Sequence, residues 1–109
     1  MNAQIKKGIL EMCILHVISG EDLYGYDIIQ RLRQFFPEVA QSAFYAILRR
    51  LNKEGAATTF TGNVSKGPVR KYYKITEQGM RQLEQLKADW RCLQEIVSKI
   101  GIHRACFEN

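Results

Sequence analysis

The stretch GPVRKYYKIT, residues 67–76, combines the composition of a β-strand with a high positive charge. Its β-branched and aromatic residues favour a strand from Val69 to Ile75, and the preceding residues 62–68, GNVSKGP, have the composition of a turn. Ala56 to Thr61 also has strand character, so the two segments predict a β-hairpin. Because side chains alternate along a strand, basic groups fall on both of its faces. That arrangement is typical of a hairpin that projects toward phosphates.

The charge of the chain is concentrated around this hairpin. The 109 residues contain 16 bases and 11 acids, a formal net charge of +5. The 26 residues from Arg49 to Lys74 contain seven bases and one acid, net +6, which leaves nine bases and ten acids, net −1, in the other 83. Such asymmetry predicts a polyanionic partner, nucleic acid, although a solvated lysine-rich surface is the alternative. The seven bases are Arg49, Arg50, Lys53, Lys66, Arg70, Lys71 and Lys74.

A helix is predicted directly before the hairpin, from about Ala40 to Glu54. Phe44, Ile47, Leu48 and Leu51 have the spacing of one apolar stripe, and Gly55 ends the helix. The opposite face carries hydrogen-bonding and basic groups, as a helix in the major groove requires, although a plain amphipathic surface helix has the same pattern. The candidate DNA-binding residues are Gln41, Ser42, Tyr45 and Arg49 on this helix, and Lys66, Arg70 and Lys71 on the hairpin.

Two further helices are predicted upstream. The first runs from about Ala3 to Ser19, where apolar residues recur at helical spacing. The second opens at Tyr24-Gly25-Tyr26 and ends at Pro37, because the residue before a proline is disfavoured in helical geometry. Its apolar stripe consists of Ile28, Ile29, Leu32, Phe35 and Phe36.

The last predicted helix begins at Thr76 and ends at Gly101. Six apolar residues follow one another at alternating gaps of three and four, the spacing of a coiled-coil seam, and a domain this small has little core to cover them. We therefore expect a second copy of the helix to pack there; packing onto the first helix of the same chain is the alternative, and the two contacts can coexist. The predicted dimer-interface residues are Leu83, Leu86, Trp90, Leu93, Val97 and Ile100.

Enzyme, metal and membrane functions find no support in the motifs. There is no glycine-rich phosphate loop, GxSxG or HExxH, so we expect neither catalysis nor a cofactor. Cys13, Cys92 and Cys106 do not have zinc-binding spacing, and reduced thiols in the cytoplasm are the simplest interpretation. The N-terminus does not resemble a signal peptide, and the apolar run from Met12 to Ile18 is too short to span a membrane.

With three helices, a hairpin and a long helix in this order, the chain resembles the PadR family of bacterial transcription regulators, in its short form with one C-terminal helix. The likeness covers about residues 5 to 100, and the hairpin motif is its most specific part. The matching stretches are KGILEM at 7–12 with Ile14-Leu15, YGYDI at 24–28, FYAILRRL at 44–51 with Glu54-Gly55, and GPVRKYYKIT at 67–76 with Gly79.

The resemblance implies an α+β, mostly α fold: a winged helix-turn-helix domain over residues 1–75, a C-terminal dimerisation helix over 76–101 and a flexible tail over 102–109. It implies a homodimeric repressor that binds a near-palindromic operator in double-stranded DNA, with half-sites about one helical turn apart. A winged-helix protein-interaction module without DNA binding is the alternative. Ala40 and Ala43 depart from the family pattern: a capping residue is common at the first position and Thr at the second, so the departures put the affinity for DNA in question.

The resemblance also gives Trp90 a second role. Multidrug-sensing members of the family stack flat aromatic compounds between tryptophans at the matching position, so a small planar aromatic effector could bind at Trp90 and release the operator. The plain alternative is that Trp90 is only part of the packed seam.

Overall fold

The computed structural model describes residues 3–62 and 69–103, so Lys66 and most of the predicted 102–109 tail lie outside the described residues. Within these ranges the fold class is confirmed: the chain is mostly helical with a small antiparallel sheet. The elements in chain order are α1 (Ala3–Gly20), β1 (Leu23–Tyr24), α2 (Gly25–Arg33), α3 (Gln41–Glu54), β2 (Ala57–Gly62), β3 (Arg70–Ile75) and α4 (Glu77–Ile100).

One apolar core joins α1, α2, α3 and the start of α4. All four residues of the predicted α3 stripe, Phe44, Ile47, Leu48 and Leu51, are buried, and Phe44 is fully enclosed. Burying a side chain of this size stabilises the fold by roughly 1.5–3 kcal/mol. The core therefore fixes the rotation of α3 about its own axis and turns its polar side outward.

The sheet has three strands in the order β1-β3-β2, all antiparallel. Thr59 pairs with Tyr73 and Phe60 with Tyr72 across the predicted hairpin. β1, which the sequence did not predict, pairs with the other edge of β3 through Leu23 and Tyr24. A strand of two residues is too short to show the alternation of side chains that identifies a strand in sequence. Its pairing partners also lie about fifty residues further along the chain.

The second helix ends earlier than Pro37. It stops at Arg33, and the amides of Phe35 and Phe36 both donate to the carbonyl of Leu32, each at 3.0 Å. Arg33 Nε then donates to the carbonyl of Val39 at 3.1 Å and closes the turn that leads into α3. As a result Phe35 does not belong to the buried stripe: its side chain is 76% exposed.

A tight corner joins α3, the hairpin and α4. Gly55 ends α3 with a φ of 89°, in the left-handed region. The Thr76 amide donates to the Ala56 carbonyl at 3.1 Å, and the Thr76 hydroxyl donates to the Gly55 carbonyl at 2.7 Å and accepts from the Gly79 amide at 3.0 Å. A Cβ on Gly79 would lie 2.0 Å from the Ala56 oxygen. This corner has no room for a side chain.

Replacing Gly79 with alanine should therefore destabilise the protein by about 1–3 kcal/mol or more, because the added methyl must displace backbone. Urea unfolding at one protein concentration, followed by circular dichroism, measures the change. Gly20→Ala is the matched control, since a Cβ there meets nothing within 4 Å. Equal free energies of unfolding for the two variants would show that the corner is not tightly packed.

Candidate nucleic-acid interface

The surface of α3 that faces away from the core is one line of exposed side chains, which we call the outward stripe. It consists of Ser42, Ala46, Arg49 and Lys53, at spacings of four, three and four. Ser42 and Arg49 were predicted from the sequence; Ala46 and Lys53 were not, although the same helical spacing places them on this line. Gln41 is also exposed, in the first turn of α3.

Tyr45 lies at the side of α3 rather than on the outward stripe. Its ring is half-buried and packs against the core. A Cβ on Gly25 would lie 3.7 Å from Tyr45 Cε1 and 3.1 Å from Tyr73 Cε1, so both rings close around the start of α2. A side chain larger than that of glycine would therefore push against the Tyr73 ring there. Tyr45 thus supports the interface from behind, and most of its ring is not available to a partner.

Tyr73 connects α3 to the hairpin. Burial raises the pKa of the Tyr73 phenol, the neighbouring Tyr45 raises it further, and the positive charge of Arg49 lowers it. On the hairpin side, Lys71 Nζ lies 5.9 Å from the centroid of the Tyr73 ring. Lys71 therefore lies over the ring of Tyr73, and Arg49 on α3 is near enough for its charge to act on the phenol of the same residue.

The other face of the hairpin holds Arg70. Its guanidinium lies 5.0 Å from the centroid of the Tyr24 ring. Tyr24 in turn is 6.1 Å from Tyr72, and Tyr72 stacks on Phe60 at 5.4 Å, which gives a row of rings across all three strands. Arg70 and Lys71 thus project from opposite faces of β3, as the period of two predicted.

Arg50 is adjacent to Arg49 in sequence but has a different role. Its guanidinium donates to Glu11 on α1 and to Glu54 at 3.2 Å, and Gln82 on α4 donates to the other Glu11 oxygen at 2.9 Å. Hydrogen bonding to Glu11 raises the pKa of Arg50. This side chain joins α1, α3 and α4 and adds nothing to the free positive surface.

The remaining bases of this region are not neutralised by the protein. Among the described residues, no carboxylate lies within 4.0 Å of their charged nitrogens. These bases are Arg49, Lys53, Arg70, Lys71 and Lys74. A surface of this kind can attract phosphates without first breaking internal ion pairs.

The predicted seam of α4 divides into two parts. Leu83 is fully buried in the core of its own chain and Leu86 is half-buried against it, so the seam cannot begin at Leu83 as the sequence analysis expected. The heptad spacing of Leu83 is the same whether it packs in its own core or against a second copy, so the spacing alone could not distinguish the two. Trp90 is 39% exposed and Leu93 53%, and Ile96, which the analysis missed, is also exposed. Val97 is half-buried, and Ile100 is 73% exposed.

Neither a metal site nor a membrane span is found in the part of the chain that the structure describes. No three side chains of His, Cys, Asp or Glu converge there as a metal would need. None of the helices in these ranges has a stretch long and apolar enough to cross a bilayer.

Comparison with known proteins agrees with this arrangement. Residues 14–85 match the family described as "Transcriptional regulator PadR-like family". The crystal structure of a PadR-like transcriptional regulator from Bacillus cereus superposes with a TM-score of 0.80 at 38% identity, covering 90% of this chain and 96% of that one. An uncharacterised protein X from Lysinibacillus sphaericus is 35% identical over 101 residues, which are 89% of this chain and 92% of the relative.

A second similar structure contains DNA. It is the Bacillus subtilis PadR in complex with operator DNA, at 26% identity and a TM-score of 0.61; the match covers 71% of this chain and 45% of that longer one. Members of the matched family are transcriptional regulators, which agrees with the prediction that the chain is not an enzyme. The chain belongs to the PadR-like family of transcriptional regulators.

Proposed function

We propose that the protein is a homodimeric repressor that binds a specific DNA sequence, with α3 in the major groove and the hairpin against flanking phosphates. The observation that carries this proposal is the continuous unpaired positive surface from Arg49 past Tyr73 to Lys71. The operator complex of the Bacillus subtilis relative supports DNA as the partner. Repression is the part of the proposal carried over from the family.

The outward stripe suits contact with base edges. Ser42 and Arg49 supply hydrogen-bonding groups, and Ala46 between them keeps the surface low enough for close approach. Gln41 lies in the first turn, where Ala40 provides no side-chain cap; the Ala43 amide donates to the Ala40 carbonyl at 3.1 Å, and we assign the amides before it to a phosphate. Lys53 extends the stripe toward the far end of α3.

On the hairpin, Lys71 and Arg70 hold phosphates from two sides; Lys66, which the sequence predicts to do the same, lies outside the described residues. Arg70 lies on the face of β3 that points away from α3, so we assign it to the phosphates beyond the groove that α3 occupies. Tyr45 and Tyr73 support this surface from the core side, with Lys71 Nζ 5.9 Å from the centroid of the Tyr73 ring. Phosphate contacts fix position and supply affinity, while the base contacts of α3 supply sequence preference.

The dimer in this proposal forms through the second half of α4. The exposed apolar residues there project from one side of the helix, beyond the part that packs on α1. A two-fold pair of such helices would bury them and place the two copies of α3 for a near-palindromic operator. The proposed interface residues are Leu86, Trp90, Leu93, Ile96, Val97 and Ile100.

The first test removes the hairpin charges with Arg70→Ala and Lys71→Ala together. On a DNA duplex from upstream of the protein's own gene, gel-shift titration at several salt concentrations should show weaker binding. The slope of log affinity against log salt should fall by about 1.8, since each phosphate contact contributes about 0.9.

Arg81→Ala with Lys99→Ala is the matched control, because it removes the same charge from exposed positions on α4. If the slope of log affinity against log salt is unchanged in the hairpin variant, Arg70 and Lys71 do not contact phosphates and this part of the proposal is wrong. If the wild-type protein shifts neither this duplex nor any fragment of the genome, the protein-interaction module becomes the better explanation.

The second test places a charge in the proposed dimer interface with Leu93→Glu. Sedimentation velocity should show a dimer for the wild type and a monomer for the variant, because a carboxylate buried without a partner is costly. Phe35→Glu makes the same kind of change at an exposed apolar residue that is not on α4 and not in the proposed interface, and it should stay dimeric. A dimeric Leu93→Glu variant, with unchanged helical circular dichroism, would rule out this interface.

A seam effector is the second part of the proposal. A cavity of about 320 Å³ adjoins Trp90 on the seam side, between α1 and α4. Asp89 is the one ionisable group in its lining, which favours a planar aromatic cation. Other lining residues are Gly8, Ile9, Met12, Leu86 and Leu93.

Ethidium should therefore quench the fluorescence of Trp90, which is the single tryptophan of the chain. Asp89→Asn should weaken this binding severalfold, because it removes the negative charge while keeping the side chain's size. Absence of saturable quenching would exclude the seam effector while leaving DNA binding unaffected.

A further inference from the structure

The face of the sheet that points away from the core, which we call the outer sheet face, carries a row of aromatic rings. Tyr24, Tyr72 and Phe60 lie side by side on it, because the register pairs Tyr72 with each of the other two. Tyr73, at the opposite phase of β3, is buried in the core instead. The remaining residues of the outer sheet face are Thr58, Gly62, Arg70 and Lys74.

The rings at the two ends of this row are open to solvent. Phe60 on β2 is 43% exposed, and Tyr26 at the start of α2 is 46% exposed and lies 6.1 Å from Tyr24 between ring centroids. Phe60 and Tyr72 are nearly parallel, with 14° between their planes. Because β2 is an edge strand, a flat group can continue this stack on the side of Phe60 away from Tyr72.

Gly62 gives the Tyr72 ring the space in which it lies. A Cβ on Gly62 would overlap this ring. The φ of Gly62 is not in the left-handed region, so the backbone itself does not require a glycine there. The absence of a side chain at Gly62 therefore matters for the position of Tyr72, and through Tyr72 for the parallel arrangement with Phe60.

The charge of the outer sheet face is positive. The Arg70 guanidinium lies over the Tyr24 ring at 5.0 Å, and Lys74 is exposed two positions beyond Tyr72. Among the described residues, no carboxylate lies within 4.0 Å of the charged nitrogens of Arg70 or Lys74. No acid occupies a strand position on this face. The surface thus combines open ring faces with unpaired positive charge.

A single strand of nucleic acid complements both properties. It offers flat bases and negative phosphates at a repeating spacing, and aromatic rings beside basic groups are the usual means of binding it. A duplex does not match the rings, because its bases are already stacked on one another. An acidic protein segment would pair with Arg70 and Lys74 but would leave the ring faces without flat partners.

We propose that the outer sheet face binds single-stranded DNA. One base stacks on the free side of Phe60, and the phosphates lie at Arg70 and Lys74. The choice of DNA over RNA rests on the proposed function, which already places this hairpin against DNA. The opposite face of β3, with Lys71, remains free for the duplex, so a single strand could be held beside a bound operator.

The test compares two labelled strands by fluorescence anisotropy at low salt. One is an oligothymidylate of about twelve nucleotides, within the usual site size of such surfaces, and the other is an abasic strand of the same length. The two strands have the same phosphates and differ only in their bases. We expect the oligothymidylate to bind saturably and at least about fivefold more tightly than the abasic strand, because only the former can stack.

Variants of the ring row locate the site. Phe60→Leu keeps an apolar side chain but removes the ring, so affinity for oligothymidylate should fall about fivefold or more, whereas Phe60→Trp keeps a ring and should retain it. Gly62→Ala should weaken binding too, because it displaces Tyr72. Phe35→Leu is the matched control, since Phe35 is an exposed ring that is not on the sheet, and it should change nothing. Circular dichroism confirms that each variant is folded.

Four results would overturn the proposal: no saturable binding of oligothymidylate, equal affinity for the abasic strand, equal affinities in Phe60→Leu and Phe60→Trp, or tighter binding of oligouridylate, which would assign the face to RNA. Duplex binding is measured separately by gel shift and should stay within about twofold in Phe60→Leu. Equal losses of duplex and single strand would instead make this face part of the duplex contact. Loss of duplex binding alone, in the wild type, would overturn the proposed function and leave the stacking surface standing.

Discussion

The close approach of Gly79 to the carbonyl of Ala56 fixes how the three working parts of this molecule meet. α3 ends at Gly55, the hairpin returns at Thr76, and α4 starts one residue later. With the Thr76 hydroxyl bonded to both sides of this junction, the helix and the base of the hairpin cannot shift separately. Glu11 on α1, which accepts from Arg50 on α3 and Gln82 on α4, ties these two helices together a second time. A DNA-binding surface shared by two elements needs such rigidity, because phosphates occur at fixed spacings along the duplex.

The regular geometry of α3 and β3 explains why the bases of this region have different roles. Arg49 and Arg50 differ by 100° around the helix axis, so one faces outward past Tyr73 and the other faces the acid on α1. Lys71 and Arg70 differ by one strand position and lie on opposite faces of the sheet. These four bases contribute equally to the net charge of residues 49–74. Only the backbone geometry decides which of them share one surface. Arg49 and Lys71 both lie near Tyr73, since Lys71 is over its ring and the charge of Arg49 acts on its phenol.

The same distinction determines how much the sequence could predict. The α3 stripe and the hairpin follow from repeating local patterns. In each, the position of a residue in the helical or strand repeat decides whether its side chain is buried or exposed. β1 has two residues and exists only because Tyr72 and Tyr73 offer an edge. α2 ends before Pro37, and the Leu32 carbonyl accepts hydrogen bonds from the amides of both Phe35 and Phe36. The apolar spacing of Phe35 and Phe36 in the sequence does not indicate this turn. The site was predicted in part: Arg49 and Lys71 were found, whereas Ala46 and Lys53 were not, although the helical spacing of α3 places them on the line of Ser42 and Arg49.

The heptad spacing of α4 shows where such patterns stop being informative. A gap of three or four residues reports that two side chains share a side of the helix, but not what covers that side. Leu83 is covered by its own core, Leu93 is uncovered, and Trp90 stands at the boundary with a cavity on each side. The residues next to Trp90 then separate by charge, with Asp89 toward one cavity and Lys87 and Arg91 toward the other. An apolar repeat would be enough to pair two helices. Opposite charges on the two sides of Trp90 give α4 two chemically different surfaces. Only the surface that includes Leu93 carries further apolar residues of the heptad repeat.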